Sequence, residues 1–204
     1  LEFIRVLFRS VIGFIKMNLL LIDHEDSFTY NLAHLLSGFG NLEVKNFYDI
    51  KEKSIKKSDI IIFSPGPGKP SDYPVSLDIY NNYKSKKKII GICLGFQLIA
   101  NGEGGTISKQ EKIFHGYQTY IRTNSKSLRF PNNALYQVGR YHSLKLKEPF
   151  NSSSMHITMR CEETNVAMCL ESHKYDICGL QFHPDSFLTP NGKQFIRKII
   201  QYKK

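Results

Sequence analysis

Two hydrophobic patterns alternate along this chain: short continuous apolar runs, and segments whose apolar residues recur every three to four positions. Asn18 to Ile22 is a continuous run, and Ser27 to Gly38 carries helix spacing through Phe28, Leu32, Leu35 and Leu36. Asp26 or Ser27 is suited to cap that helix, and Gly38 or Gly40 to end it. Leu42 to Phe47 reads as a second strand and Asp59 to Phe63 as a third, an apolar run of the kind buried on both faces of a parallel sheet. The segment Ser64-Pro65-Gly66-Pro67-Gly68-Lys69-Pro70 is too rich in Pro and Gly to continue either element. A helix from about Val75 to Tyr83 then leads to a strand beginning at Lys88, with Cys93 at its end and a helix start behind it. This β-α-β-β-α-β-α order predicts a doubly wound sheet, whose ligands bind beyond the carboxyl ends of the strands. Three segments fall at those ends: Asp23 to Asp26, Ser64 to Gly68, and Cys93.

The second half alternates in shorter units. Gly104 to Ile107, Tyr117 to Arg122, His156 to Met159, Val166 to Glu171 and Ile177 to Phe182 read as short strands joined by polar turns. They predict an antiparallel layer and a return to the main sheet. Asn191 to Tyr202 closes the chain as an amphipathic helix. The expected fold is therefore α/β: a single domain with a doubly wound, mostly parallel sheet and an additional small antiparallel layer. The 204 residues suffice for one such domain and its core.

Residues 1–16 stand apart. Their apolar runs are too short for a membrane span, they contain no small-residue cleavage site, and Glu2 to Ser10 resembles, apart from Ile4, the translation of a sequencing adapter. They are read as a non-native extension, with the domain spanning 17–204. The formal charge is +10, and three basic residues and one acidic residue precede Met17. The excess is scattered lysine without the arginine and interleaved aromatics of a nucleic-acid surface. The Lys84 to Lys88 cluster reads as a solvated helix end, so neither a nucleic-acid nor a membrane partner is expected. The four cysteines, Cys93, Cys161, Cys169 and Cys178, show no metal-ligand spacing and no disulfide framework, which points to the reducing cytoplasm.

The chemistry centres on Gly91-Ile92-Cys93-Leu94-Gly95-Phe96-Gln97. A thiol on a sharp strand-to-helix turn is pushed out of the sheet, and the first helical N–H groups point at whatever the sulfur attacks. Such a nucleophile needs a base, near in space though not in sequence. Seven histidines are candidates: His24, His34, His115, His142, His156, His173 and His183. Only His183 ends an apolar run with a proline and a carboxylate beside it, Pro184 stopping the strand and Asp185 placed to orient the ring through Nδ1.

Five ordered motifs complete the picture: Asp26-Ser27-Phe28-Thr29-Tyr30-Asn31-Leu32, Ser64-Pro65-Gly66-Pro67-Gly68, the Cys93 heptapeptide, Tyr141-His142-Ser143-Leu144, and Gly179-Leu180-Gln181-Phe182-His183-Pro184-Asp185-Ser186. Together they resemble the class I glutamine amidotransferases, most closely the component II subunits of anthranilate and aminodeoxychorismate synthases. The resemblance runs from just after Met17 to Gly192, essentially the full domain. It implies that Cys93, with His183, attacks the side-chain amide of L-glutamine, and that backbone N–H groups of Leu94 and Gly68 hold the oxyanion. Gly66, Pro67, Gly68 and Gln97 would line the glutamine site, with Ser143 and Leu144 binding the α-amino and α-carboxylate ends. It further implies a separate chorismate-binding synthase subunit as partner, and no metal or other cofactor in this chain, Mg2+ being expected only in the partner.

Three departures from the family pattern stand out. Asp185 occupies a position usually held by glutamate and is one methylene shorter, about 1.5 Å, so its contact with His183 is expected to be long or water-bridged. Phe96 replaces a common histidine and is read as packing. His115-Gly116 matches a family pair, but Tyr117-Gln118-Thr119 lacks the usual lysine that follows. For Asp26 to Leu32 a capped helix with Phe28 and Leu32 in the core is expected, near the face where a synthase subunit docks. Two alternatives remain open at this point: a stand-alone γ-glutamyl hydrolase-like enzyme, and a non-catalytic regulatory module.

Overall fold

The computed structural model describes residues 17–204, so the reading of residues 1–16 lies outside the described residues. Strands β1 (Asn18–Asp23), β2 (Asn41–Asn46), β3 (Ile60–Phe63), β4 (Lys88–Ile92) and β11 (Ile177–Leu180) pair in parallel in the order β2-β1-β3-β4-β11. Helices α1 (Thr29–Ser37), α2 (Glu52–Lys57), α3 (Pro74–Tyr83) and α4 (Leu94–Gly102) follow successive strands, and α5 (Gly192–Gln201) ends the domain.

The apolar runs explain why this sheet is covered on both faces. Successive side chains of a strand point to opposite sides. Leu19 and Leu21 therefore pack with Leu32 and Leu36 of α1 and with Phe195, Ile196, Ile199 and Ile200 of α5, while Leu20 and Ile22 pack with Ile55, Ile79, Tyr80 and Ile99 from the other three helices. This is the expected doubly wound arrangement.

The antiparallel part divides in two. Strands β10 (Ala167–Ser172), β9 (Met155–Cys161), β6 (Tyr117–Thr123) and β7 (Leu135–Arg140) extend the main sheet beyond β11, and β5 (Ile107–Lys109) pairs with β8 (Leu144–Leu146) in a separate two-stranded ribbon. Several local expectations need correction. Helix α2 follows β2 where none was read: its one buried apolar residue, Ile55, leaves too little periodicity to register. Strands β7 and β8 were also not read, because β7 is buried only over its last three residues and β8 is three residues long. Residues 104–106 lie outside the strand, which begins at Ile107. Helix α1 starts at Thr29, with Phe28 rather than Asp26 or Ser27 at its N-cap. Asp26 still serves the turn, its Oδ1 accepting the Phe28 N–H at 2.8 Å.

The Lys84 to Lys88 cluster is not simply solvated. Lys84 pairs with Glu103 at 2.9 Å, Lys87 donates to the carbonyls of Lys56 and Ser58, and Lys88 reaches Asp176 at 3.3 Å and the carbonyls of Ile199, Ile200 and Tyr202. Lys84 thus ties the end of α3 to the end of α4, Lys87 holds the end of α2, and Lys88 fastens α5 to β4. No helix among the described residues is long and apolar enough to cross a membrane.

Candidate active site

The Cys93 elbow is built by close approach of backbones. A Cβ at Gly95 would lie 2.4 Å from the Phe63 carbonyl, and one at Gly91 would lie 2.3 Å from the Gly95 carbonyl, so only glycine lets α4 fold back against β3 and β4. Between them Cys93 has φ 52° and ψ −97°, a left-handed conformation that costs a side-chain-bearing residue about 1–3 kcal/mol. Its N–H is held by the Leu180 carbonyl at 2.8 Å. Helix α4 begins at Leu94, whose N–H has no intrahelical partner because it is a first-turn donor.

His183 lies two residues beyond Gln181 and is only 2% exposed. Its N–H is donated to the Gly139 carbonyl at 3.1 Å, and the Thr189 hydroxyl joins both segments by donating to the His183 carbonyl and accepting the Gly139 N–H. The ring sits between Phe28 and Tyr141, each with its centroid 5.0 Å away and tilted by more than 60°. Tyr141 is anchored to Ser186 at 2.9 Å. Phe28 is therefore half-buried against His183 rather than in the core, which corrects the reading of the Asp26 to Leu32 motif.

Asp185 Oδ1 stands 3.6 Å from His183 Nδ1, beyond hydrogen-bonding distance, and neither carboxylate oxygen nor Nδ1 has a partner among the described residues. The shorter acid leaves the expected gap, and the pair acts through charge. Burial alone pushes His183 down, but the neighbouring Cys93 sulfur and the Asp185 carboxylate outweigh it and lift the imidazole to about 10.

Cys93, His183, Gln97, Gly66, Pro67, Gly68, Ser143 and Leu144 all line one cleft of about 320 Å³. Leu94 is buried immediately behind Cys93, and Asp185 behind His183. Gln97 donates to Gln181 at 3.4 Å, and the Gln181 amide approaches the Cys93 sulfur at 3.8 Å. Ser143 is exposed at the rim. Its loop is fixed from beneath by Gln110, whose N–H is donated to the Ser143 carbonyl, and by buried His142, whose Nδ1 meets the Leu144 carbonyl at 2.8 Å. Arg140 in turn holds His142 and stacks on Phe114. Phe96 is fully buried in the core, as packing requires. Phe28, Tyr141 and Gln181 were not identified as site residues from the sequence, although each lies inside a motif that was singled out. A larger cleft of about 680 Å³ around Pro149 and His156 contains no cysteine.

A doubly wound α/β sheet with a strained cysteine elbow and a buried histidine in one cleft has the parts of a cysteine-nucleophile acyl-transfer site. The profile described as glutamine amidotransferase class-I matches residues 20–201, and the chain belongs to that family. It is 38% identical over 190 residues to an anthranilate synthase component 2 from Pyropia yezoensis, covering 90% of this chain and 99% of the relative. It is 34% identical, again over 190 residues, to an aminodeoxychorismate/anthranilate synthase component 2 from Bacillus subtilis, covering 91% and 97%. The fold matches a solved glutamine amidotransferase from Thermotoga maritima with a TM-score of 0.72 at 14% identity, over 91% of this chain and 97% of that one.

Proposed function

We propose that this chain is the glutaminase subunit of a chorismate-using synthase, releasing ammonia from L-glutamine for a separate component I that makes anthranilate, 4-amino-4-deoxychorismate or both. The observation that carries the reading is the strained Cys93 elbow and the buried His183 lining one cleft. In this mechanism His183 has taken the thiol proton, and the sulfur attacks the amide carbon of glutamine. The oxyanion that forms meets the N–H of Leu94 at the start of α4 and that of Gly68 in the opposite loop. Each such donor is worth about 2.7–4 kcal/mol of transition-state stabilisation. His183 then protonates the departing ammonia, and afterwards takes a proton from the water that hydrolyses the thioester.

Substrate selection follows from the cleft walls. Gln97 and the Gly66-Pro67-Gly68 segment enclose the side-chain amide, while the rim at Ser143 and Leu144 receives the α-amino and α-carboxylate groups through main-chain atoms. The acceptor chemistry belongs to the partner, which also supplies the Mg2+ that chorismate chemistry uses. Ammonia release by the chain, alone and with candidate chorismate-using subunits, tests this reading. Glutamine-dependent anthranilate or aminodeoxychorismate is expected with a cognate subunit, and hydrolysis confined to γ-glutamyl peptides would overturn it.

A further inference from the structure

Tyr73 is a 6% exposed tyrosine at the junction of the 3-10 turn Pro70–Asp72 and α3, outside every residue assigned to the site. Its hydroxyl donates to the Pro67 carbonyl at 2.9 Å. Its ring is fixed edge-on by His24, with centroids 4.9 Å apart at 89°, and by Phe47 at 4.9 Å and 80°.

His24 is itself locked. Its Nε2 meets the Ser76 hydroxyl at 2.9 Å, its backbone N–H is donated to Ser64 Oγ at 2.9 Å, and its Nδ1 lies 3.1 Å from the same oxygen. Ser64 donates its own proton to the Pro65 carbonyl at 2.6 Å, so His24 Nδ1 carries a proton and donates to Ser64 Oγ. Burial pushes His24 down to about 4, so the ring is neutral and its Nε2 accepts from Ser76. The Pro65 and Pro67 carbonyls are thus both held from behind the loop, one by Ser64 and one by Tyr73.

A trans peptide is planar, with its C=O and N–H on opposite sides. Fixing the Pro67 carbonyl on Tyr73 therefore points the N–H of Gly68 the opposite way within the same plane. Gly68 lines the cleft, its φ is +72°, and its N–H has no acceptor among the described residues. Glycine is the residue whose backbone would otherwise reorient most freely here. We propose that Tyr73 is a positioning residue for the oxyanion site, its phenol latching the Pro67–Gly68 peptide so that the Gly68 N–H faces the reacting carbon. Burial, and then the nearby carboxylates of Asp72, Glu25 and Asp26, raise the phenol above its ordinary range, so it remains a proton donor wherever the site works.

The inference rests on the glutaminase reading of Cys93, and its test separates the two. Tyr73→Phe removes the hydroxyl and keeps the ring contacts. In the full chain with its synthase subunit, kcat for glutamine should fall about tenfold, well inside the roughly 100- to 1,000-fold that losing a whole oxyanion donor costs. KM for glutamine should stay within about twofold, since the latch acts on the transition state. Alkylation of Cys93 by iodoacetamide, a displacement that forms no oxyanion, should keep its wild-type rate. An unchanged kcat, a rise confined to KM, or kcat and alkylation falling together would each overturn the latch. Cys93→Ala is the control: if it retains glutamine-dependent activity, the site reading fails and the latch with it, whereas an inactive Cys93→Ala beside a fully active Tyr73→Phe condemns the latch alone.

Discussion

Lengthening the acid at position 185 probes the weakest geometry in the site. Oδ1 of Asp185 stands 3.6 Å from His183 Nδ1, and the carboxylate is buried without a partner among the described residues. Asp185→Glu adds about 1.5 Å of reach, more than the roughly 0.8 Å needed to form a charge-assisted hydrogen bond of about 2.8 Å. At an effective dielectric of about 20, the attraction grows from about 4.6 to about 5.9 kcal/mol over that distance. The gain of about 1.3 kcal/mol corresponds to about a tenfold rise in kcat if it is realised as the imidazole takes the proton of the hydrolytic water and becomes imidazolium. The same methylene enters a close-packed site, and overpacking should lower unfolding stability by about 1–3 kcal/mol. Asp185→Asn keeps the size and removes the charge, so kcat should fall at least about tenfold. The ring titration of His183 should also move down from about 10, because burial is then opposed by Cys93 alone. Steady-state ammonia release and NMR titration of the imidazole read the two effects. Wild-type kcat and an unmoved His183 in Asp185→Asn would refute the argument that this carboxylate holds the base.

Two further perturbations test the fold and its acid limit. Arg129 is buried and pairs with Glu171 at 3.1 Å and Asp176 at 2.9 Å, so Arg129→Ala leaves the Glu171 carboxylate buried without its cation. Urea unfolding should show a loss of about 3–5 kcal/mol, and a loss below about 1 kcal/mol would contradict the reading of this pair as a buried clamp. Folded His24 titrates near 4, well below its value of about 6.5 in the unfolded chain. The unfolded state therefore binds the extra proton, and stability is full above 6.5 and lost as pH falls toward 4. Between pH 7 and 5 this removes about 2 kcal/mol. His24→Gln should shrink the measured loss over that range by a similar amount, and an unchanged loss would show that His24 is not held neutral.

The sequence disclosed the parts of this molecule that rest on local pattern. Continuous apolar runs marked β1, β3, β4 and β11 because each strand is buried on both faces, and the Pro- and Gly-rich segment after Phe63 could only be a loop. Cys93 and His183 were legible because strand-end placement and neighbouring residues select them. Tertiary contacts set the rest. Phe28 has the spacing of a core residue, yet it packs on an imidazole supplied from 155 positions further along the chain. Tyr73 belongs to none of the five motifs, and only the folded loop places its hydroxyl on the Pro67 carbonyl. Lys87 and Lys88 look like surface charge in one dimension and donate to backbone carbonyls in three.

The central claim is that Cys93 opens the glutamine amide. Rapid-quench mass spectrometry of the chain with its synthase subunit during glutamine turnover measures this directly. The account predicts a γ-glutamyl group on the peptide that contains Cys93, and neither adduct nor glutamine-dependent product in Cys93→Ala. An adduct on another residue, or undiminished glutamine-dependent product in Cys93→Ala, would contradict it.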